Sequence, residues 1–364
     1  MYKFSDVFEF HKKSKIKAGN GKPEGKYSFY TSSTELNKYV DDYLFDGESL
    51  VFGTGGNASV HFAQNKFAVS TDCLVAQTNT KDVTPKFVYY YFFGNIHILE
   101  QGFKGAGLKH ISKTYISEIT FPKLSRKKQD EIVQILDTAD NLRKKRKEQL
   151  ALLDDYLKSV FLEMFGDPVR NEKEWDVMKM LDICFKVTDG THDTPKRLAS
   201  GVKFITGKHM RPFKIDYENS DYVSTKDHDE IYRRCNPEKG DILYTNIGVN
   251  MGTAAVNTVD YPFSMKNVAL LKLLRHKVNP RYVESLLNYE FIRIEILRKS
   301  SLGGAQKFLG LQDIKKIDIP VPPIELQNNF ASIVEELEQT KQKMRASLDE
   351  MDNHFNAIMQ RYFE

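Results

Sequence analysis

A chain of 364 residues with 41% hydrophobic and 28% charged content is long enough for two or more domains with separate cores, and this composition excludes a disordered chain. The formal net charge of +4 is too small to mark the whole molecule as a polyanion binder, so such contacts have to come from local patches. Cys73, Cys184 and Cys235 are far apart and form no Cys-x-x-Cys pair, which points to reduced, buried thiols and not to a zinc or redox centre.

The chain starts MYKFSDVFEFHKKSK, without the apolar core of a signal peptide, and no apolar run is long enough to span a bilayer. The expectation is a cytoplasmic protein with no membrane contact. Next comes a basic, glycine-punctuated loop, HKKSKIKAGNGKPEGK, carrying Lys12, Lys13, Lys15, Lys17, Lys22 and Lys26. The glycine-rich GTGGNAS at Gly53 lacks the Lys-Ser/Thr of a phosphate-binding loop and reads as a tight turn. Alternation in KFAVSTDCLVAQ predicts strands, and Pro85 in TPKFVYYYFF suits the first turn of a helix.

From Leu124 to Pro168 the spacing predicts one uninterrupted helix of about forty residues, roughly 60 Å long. Its seam is Ile132, Leu136, Ala139, Arg143, Arg146, Leu150, Leu153, Leu157, Val160 and Met164, apolar at each end and polar in the middle. Gly166 suits a left-handed cap, with Pro168 beyond it. The basic centre RKKRK, Arg143 to Lys147, suits an anionic surface or a solvated break in the seam.

A second globular stretch follows. Its DGTHDTPKR cluster holds one histidine, His192, between two aspartates; a metal site would need further ligands nearby, so the default is a hydrogen-bonding loop. GVKFITGK predicts a strand, and NPRY at Asn279 a helix start, since no cofactor-binding glycine motif precedes it. The chain closes on a second long helix with the seam Phe330, Val334, Leu337, Lys341, Met344, Leu348, Met351, Phe355, Ile358 and Tyr362.

The two halves repeat. A shift of 198 lays Gly105 to Phe165 on Gly303 to Phe363 without a gap, matching Lys109 with Lys307, Ile116 with Ile314, Pro122 with Pro320 and Gln129 with Gln327. Upstream, DGESLVFGTGGNASV parallels KGDILYTNIGVNMGT, with Gly47 on Gly240 and Gly55 on Gly248. Two similar amphipathic helices in one chain bury their seams most simply as an antiparallel pair. The expected fold class is therefore α+β: globules at 1–122 and 168–320, long spacer helices at 123–167 and 321–364, and a pseudo-two-fold internal repeat.

This duplicated plan resembles the DNA-specificity subunit of type I restriction-modification systems, over essentially the whole chain. The motifs that carry the resemblance are GGAQKFLGLQDIKKIDIPVPPIELQ before the second helix, FLEMFGDP closing the first, VTDGTHDTPKR, FITGKHM and KGDILYTNIGVNMGTAAV. The resemblance implies two target recognition domains, an antiparallel helical spacer and no catalysis by this chain. It implies double-stranded DNA as ligand, two adenine methyltransferase subunits as partners and restriction/translocase subunits in the full complex. S-adenosylmethionine, ATP and Mg²⁺ are then expected only on the partners, with no cofactor or metal here. Two heads on one rod would read two half-sites about one DNA turn apart, roughly 34 Å.

Base reading needs side chains at base edges and phosphate contacts that set the register. In the first globule the candidates are the six loop lysines with Thr54, Asn57, Ser59 and Lys109; in the second, His192, Lys196, Arg197, Lys208, His209, Arg211, Thr245, Asn246, Asn250 and Lys307. Rival expectations are a coiled-coil scaffold without DNA specificity, a specificity subunit of a related methyltransferase-nuclease system, and a self-contained methyltransferase or nuclease, for which motifs are missing.

Overall fold

The computed structural model describes residues 1–105, 107, 109–248, 250–298 and 308–363. The chain divides into two compact units, one of Met1–Gln149 with Met344–Glu364 and the other of Leu150–Lys343, so each contains a globular segment and parts of both long helices.

In the first unit an antiparallel sheet runs in the order Phe8–Phe10, Cys73–Thr78, Ser49–Gly53, Ser59–Ala63. A three-stranded sheet orders Tyr39–Val40, Tyr27–Tyr30 and Phe67–Val69, the last pair parallel. A two-residue ribbon joins Tyr2–Lys3 to Thr120–Phe121. The second unit repeats this plan. Its larger sheet orders Cys184–Asp189, Ala269–Leu273, Ile242–Tyr244 and Ala254–Val256; its smaller one orders Asp221–Val223, Val202–Thr206 and Ser264–Lys266, again with one parallel pair. Val177–Lys179 pairs with Asp318–Pro320 as the matching ribbon. The helix Thr225–Arg234 and the hairpin of Met210–Arg211 with Lys214–Ile215 are additions of the second unit among the described residues. KFAVSTDCLVAQ divides into two strands because the turn Ser70–Asp72 separates Phe67–Val69 from Cys73–Thr78.

The long helices run Arg126–Phe165 and Ile324–Phe363. The first begins later than the proline at 122 suggests, because Ser125 caps it: its hydroxyl accepts from Lys128 N (3.3 Å) and its carbonyl from Gln129 N (3.0 Å). It ends at Gly166, whose φ of 75° is the left-handed conformation a side chain would oppose. Pro85 and Pro280 occupy first-turn positions of their helices.

One buried glutamine fastens each long helix to its globule. Gln129 Oε1 accepts from Thr84 N (2.9 Å), while its Nε2 donates to the carbonyls of Asp82 and Leu124 (both 2.9 Å). Gln327, 198 positions on, repeats the arrangement with Asn279 N (2.8 Å), Pro322 O (2.7 Å) and Lys277 O (3.2 Å). Thr84 and Asn279 each precede the helix-starting proline, so the clamp ties two helix N-termini together in each unit.

The helices pair antiparallel. In the first unit Ile132 and Leu136 share a core with Phe355 and Met359; in the second Leu157, Val160, Phe161 and Phe165 share one with Phe330 and Val334. Leu150, Leu153, Leu337, Leu348, Met351 and Ile358 are half-buried along the same seams. The polar middle is filled by equivalent ion pairs: Arg143 bonds Asp352, and Lys341, 3% exposed, bonds Asp154 at 2.7 Å. Arg143 with Lys341, and Asp154 with Asp352, differ by the same 198. Arg143 also lies over the Phe355 ring, 4.3 Å from its centre. Arg143 is thus a seam residue, whereas Lys145 and Lys147 are exposed.

The repeat slips by one residue in the globules. Gly56 (φ 79°), not Gly55, matches Gly248 (φ 93°), 192 positions on, and Thr54 O and Asn246 O, also 192 apart, accept from Ile111 N and Leu309 N, which keep the 198 of the long helices.

Candidate nucleic-acid interface

In each unit several connecting loops meet at one end of the larger sheet. In the first, Thr71 N bonds Ile16 O (2.8 Å), which lays the lysine loop along the turn Ser70–Asp72. The Asp72 carbonyl accepts from Thr54 N (2.8 Å), Thr54 Oγ1 (3.0 Å) and Ser32 Oγ (2.7 Å). The Thr54 carbonyl lies 3.0 Å from His110 Nδ1, bringing in the segment around Lys109. The second unit does the same: Thr191 N bonds Met265 O (3.0 Å), Asn267 N bonds Thr191 O (3.3 Å), and Asn250 Nδ2 bonds Gly207 O (3.0 Å).

This gathering places Lys12, Lys13, Lys15, Lys17, Lys22, Lys26, Asn57 and Lys109 of the first unit in solvent. Lys22 bonds Asp41 at 2.7 Å, and this hydrogen bond and the carboxylate charge raise its ammonium above the ordinary range. Lys26 Nζ lies 5.2 Å from the centre of the Tyr27 ring. Thr54 and Ser59 turn out to be internal: both are buried, and their hydroxyls donate to the carbonyls of Asp72 and Ser32. Buried hydroxyls need such partners, and the backbone supplies them here.

In the second unit His192 Nε2 lies 2.8 Å from Asp189 and its Nδ1 3.2 Å from Asn267. The buried Asp189 also accepts from Arg234, so the DGTH segment is the hydrogen-bonding loop expected. Among the described residues no group of three or more His, Cys, Asp or Glu side chains is placed to hold a metal ion. Lys196 is exposed. Arg197 and Lys208 converge on the two oxygens of Asp221, at 3.0 and 2.9 Å. Burial pushes the Asp221 carboxyl up, but the hydrogen bonds from Lys208 and Arg197 outweigh it and leave the group below its usual range. Arg211 donates to the carbonyls of Lys208 (3.0 Å) and Met210 (2.7 Å).

His209, Thr245 and Asn246 are buried, contrary to a surface role, and Asn250 is half-buried. His209 Nδ1 accepts from Thr206 N (3.0 Å); burial first, then the Lys208 charge, holds its imidazolium below the ordinary range. Thr245 Oγ1 bonds the Asn250 carbonyl, bracing the loop from inside. Lys307 lies outside the described residues, and with it the equivalence to Lys109.

Among these candidates the first unit keeps Lys12, Lys13, Lys15 and Lys17 exposed and ties Lys22 to Asp41, while the second keeps Lys196 exposed and ties Arg197, Lys208 and Arg211 to carboxylates or carbonyls. Sequence reasoning missed Ser32, Asp72, Asp221 and Arg234, each of which meets its partner only through the fold; Asp221 stands 24 residues from Arg197 with no local pattern linking them. All three cysteines are buried, and burial pushes the thiols up to about 11 for Cys73 and about 12 for Cys184 and Cys235. No helix among the described residues is long and apolar enough to cross a membrane.

The family model described as "Type I restriction modification DNA specificity domain" matches residues 1–152 and 172–350. A Mycoplasma pneumoniae protein, provisionally named a type I specificity subunit, is 26% identical over about half of each chain, 52% of this one and 53% of that one. The EcoBI type I restriction enzyme specificity subunit of Escherichia coli is 20% identical over 92% of this chain and 76% of its own. Among solved structures, the S subunit of a type I restriction-modification system from M. genitalium superposes with a TM-score of 0.68 at 16% identity, covering 100% of this chain and 95% of that one, a likeness of fold. With the family model matched once in each half, over most of the sequence, the chain belongs to the type I restriction-modification DNA specificity family.

Proposed function

We propose that the chain is the non-catalytic, sequence-reading subunit of a type I restriction-modification complex, recognising a bipartite target in double-stranded DNA. The observation that carries this reading is the duplication itself: two units of one topology, each bringing several loops together at one end of its larger sheet and each holding antiparallel segments of both long helices. A duplicated reader suits a split target, and the paired helices suit a gap of constant length between its halves. In this reading two adenine methyltransferase subunits dock on the chain and restriction/translocase subunits join the full complex. S-adenosylmethionine, ATP and Mg²⁺ belong to those partners.

The test is co-expression with a partner methyltransferase subunit followed by mapping of adenine methylation across a host genome. The expected result is one split motif with a constant gap. A continuous motif, or methyl transfer by the purified chain unaided, would overturn the proposal.

A further inference from the structure

We propose that Arg197 is the residue with which the second unit reads a guanine, and that Asp221 and Phe204 are positioning residues holding its guanidinium ready. The proposal rests on the DNA-reading function given above.

Arg197 is restrained from four directions. Its chain neighbour Leu198 donates its N–H to Tyr222 O (3.0 Å), joining the loop to the edge strand that carries Asp221. The guanidinium carbon lies 4.2 Å from the centre of the Phe204 ring, a fully buried ring that the arginine covers. Nε donates to Asp221 Oδ2 (3.0 Å), and Nη1 donates to Pro195 O (3.0 Å). Asp221 is itself fixed, because its other oxygen takes Lys208 Nζ at 2.9 Å.

These restraints leave Nη2 without a partner among the described residues, on a side chain that is 34% exposed. Nη1 carries a second N–H besides the one it gives to Pro195 O, so the two terminal nitrogens together can supply the pair of donors that matches guanine O6 and N7 in the major groove. An arginine whose rotamer is set before binding loses less freedom on contact than a solvated one. The neighbouring arginines are used differently. Arg211 bonds carbonyls of its own turn through Nη1, and Arg234 points at the buried Asp189.

The test is selection of binding sites from a randomised duplex pool by the full chain in complex with its methyltransferase subunits, for wild type, Arg197→Gln, Arg197→Lys and Asp221→Asn. The expected result is that Arg197→Gln lowers discrimination at one G·C position of one half-site by roughly 5- to 100-fold, leaving the other half-site unchanged. Arg197→Lys keeps the charge but loses the planar fork, so it relaxes the same position and keeps the test open if the glutamine variant fails to fold. Asp221→Asn relaxes that position partially. Uniform weakening at every position, with the slope of log affinity against log salt reduced by about 0.9, would make Arg197 a phosphate contact and overturn the assignment. An unchanged motif in all three variants would overturn it too. If wild type selects no split motif, it is the bipartite-reader function that fails.

Discussion

Replacing the buried glutamine at either helix start tests the physics that joins each long helix to its globule. Gln129→Ala removes three hydrogen bonds, of 2.9 Å each, from a side chain that is 1% exposed. The Thr84 amide is left buried and unsatisfied, at a cost of about 1–3 kcal/mol, and the two carbonyl bonds contribute about 1 kcal/mol each at most, since Asp82 and Leu124 can reach solvent. The total comes to about 3 kcal/mol, equivalent to a fall of roughly 6–12 °C in thermal midpoint for a unit of this size. Gln327→Ala should cost the same within about 1 kcal/mol, because its three bonds reproduce the arrangement. The assay is thermal unfolding followed by circular dichroism, with Gln134→Ala as an exposed control on the first helix, expected within about 0.5 kcal/mol of wild type. If Gln129→Ala and Gln327→Ala melt like that control, the clamp is not what holds the helix starts.

Three other outcomes are expected. A thiol reagent should label none of the three cysteines in the native chain at pH 8, since burial holds their thiols at about 11 to 12; stoichiometric labelling within minutes would contradict that burial. Burial lowers the imidazoles of His209 and His228, so the unfolded chain takes up protons first and stability is lost as pH falls below about 6.5. A melting temperature that rises from pH 7.5 to pH 5.5 would reverse the sign. Replacing Lys145 and Lys147 by alanine, and sparing Arg143 for the seam, should leave the fold intact; a flatter salt dependence of DNA binding would show that they touch phosphates, and an unchanged one that they are solvated.

Much of the architecture was legible in the order of residues. Periodicity of 3.5 and the shift of 198 are local and additive signals, so both long helices, their seams and the antiparallel pairing followed from Ile132, Leu136, Phe330 and Phe355 and their neighbours. Gly166 and the prolines at 85 and 280 act through their own backbone geometry, and they stand where that geometry is required. Tertiary structure alone decided what the polar residues do. Arg143 looked like a gap in the seam until Asp352 was placed beside it, and Thr54, Ser59 and Thr245 looked like surface donors until folding gave them carbonyl partners inside. Arg197 acquires its orientation from Asp221, Phe204 and Pro195, three groups brought together by strand pairing and a loop. A helix writes its pattern into neighbouring residues, whereas a hydrogen bond between distant strands leaves no mark on the sequence at either end.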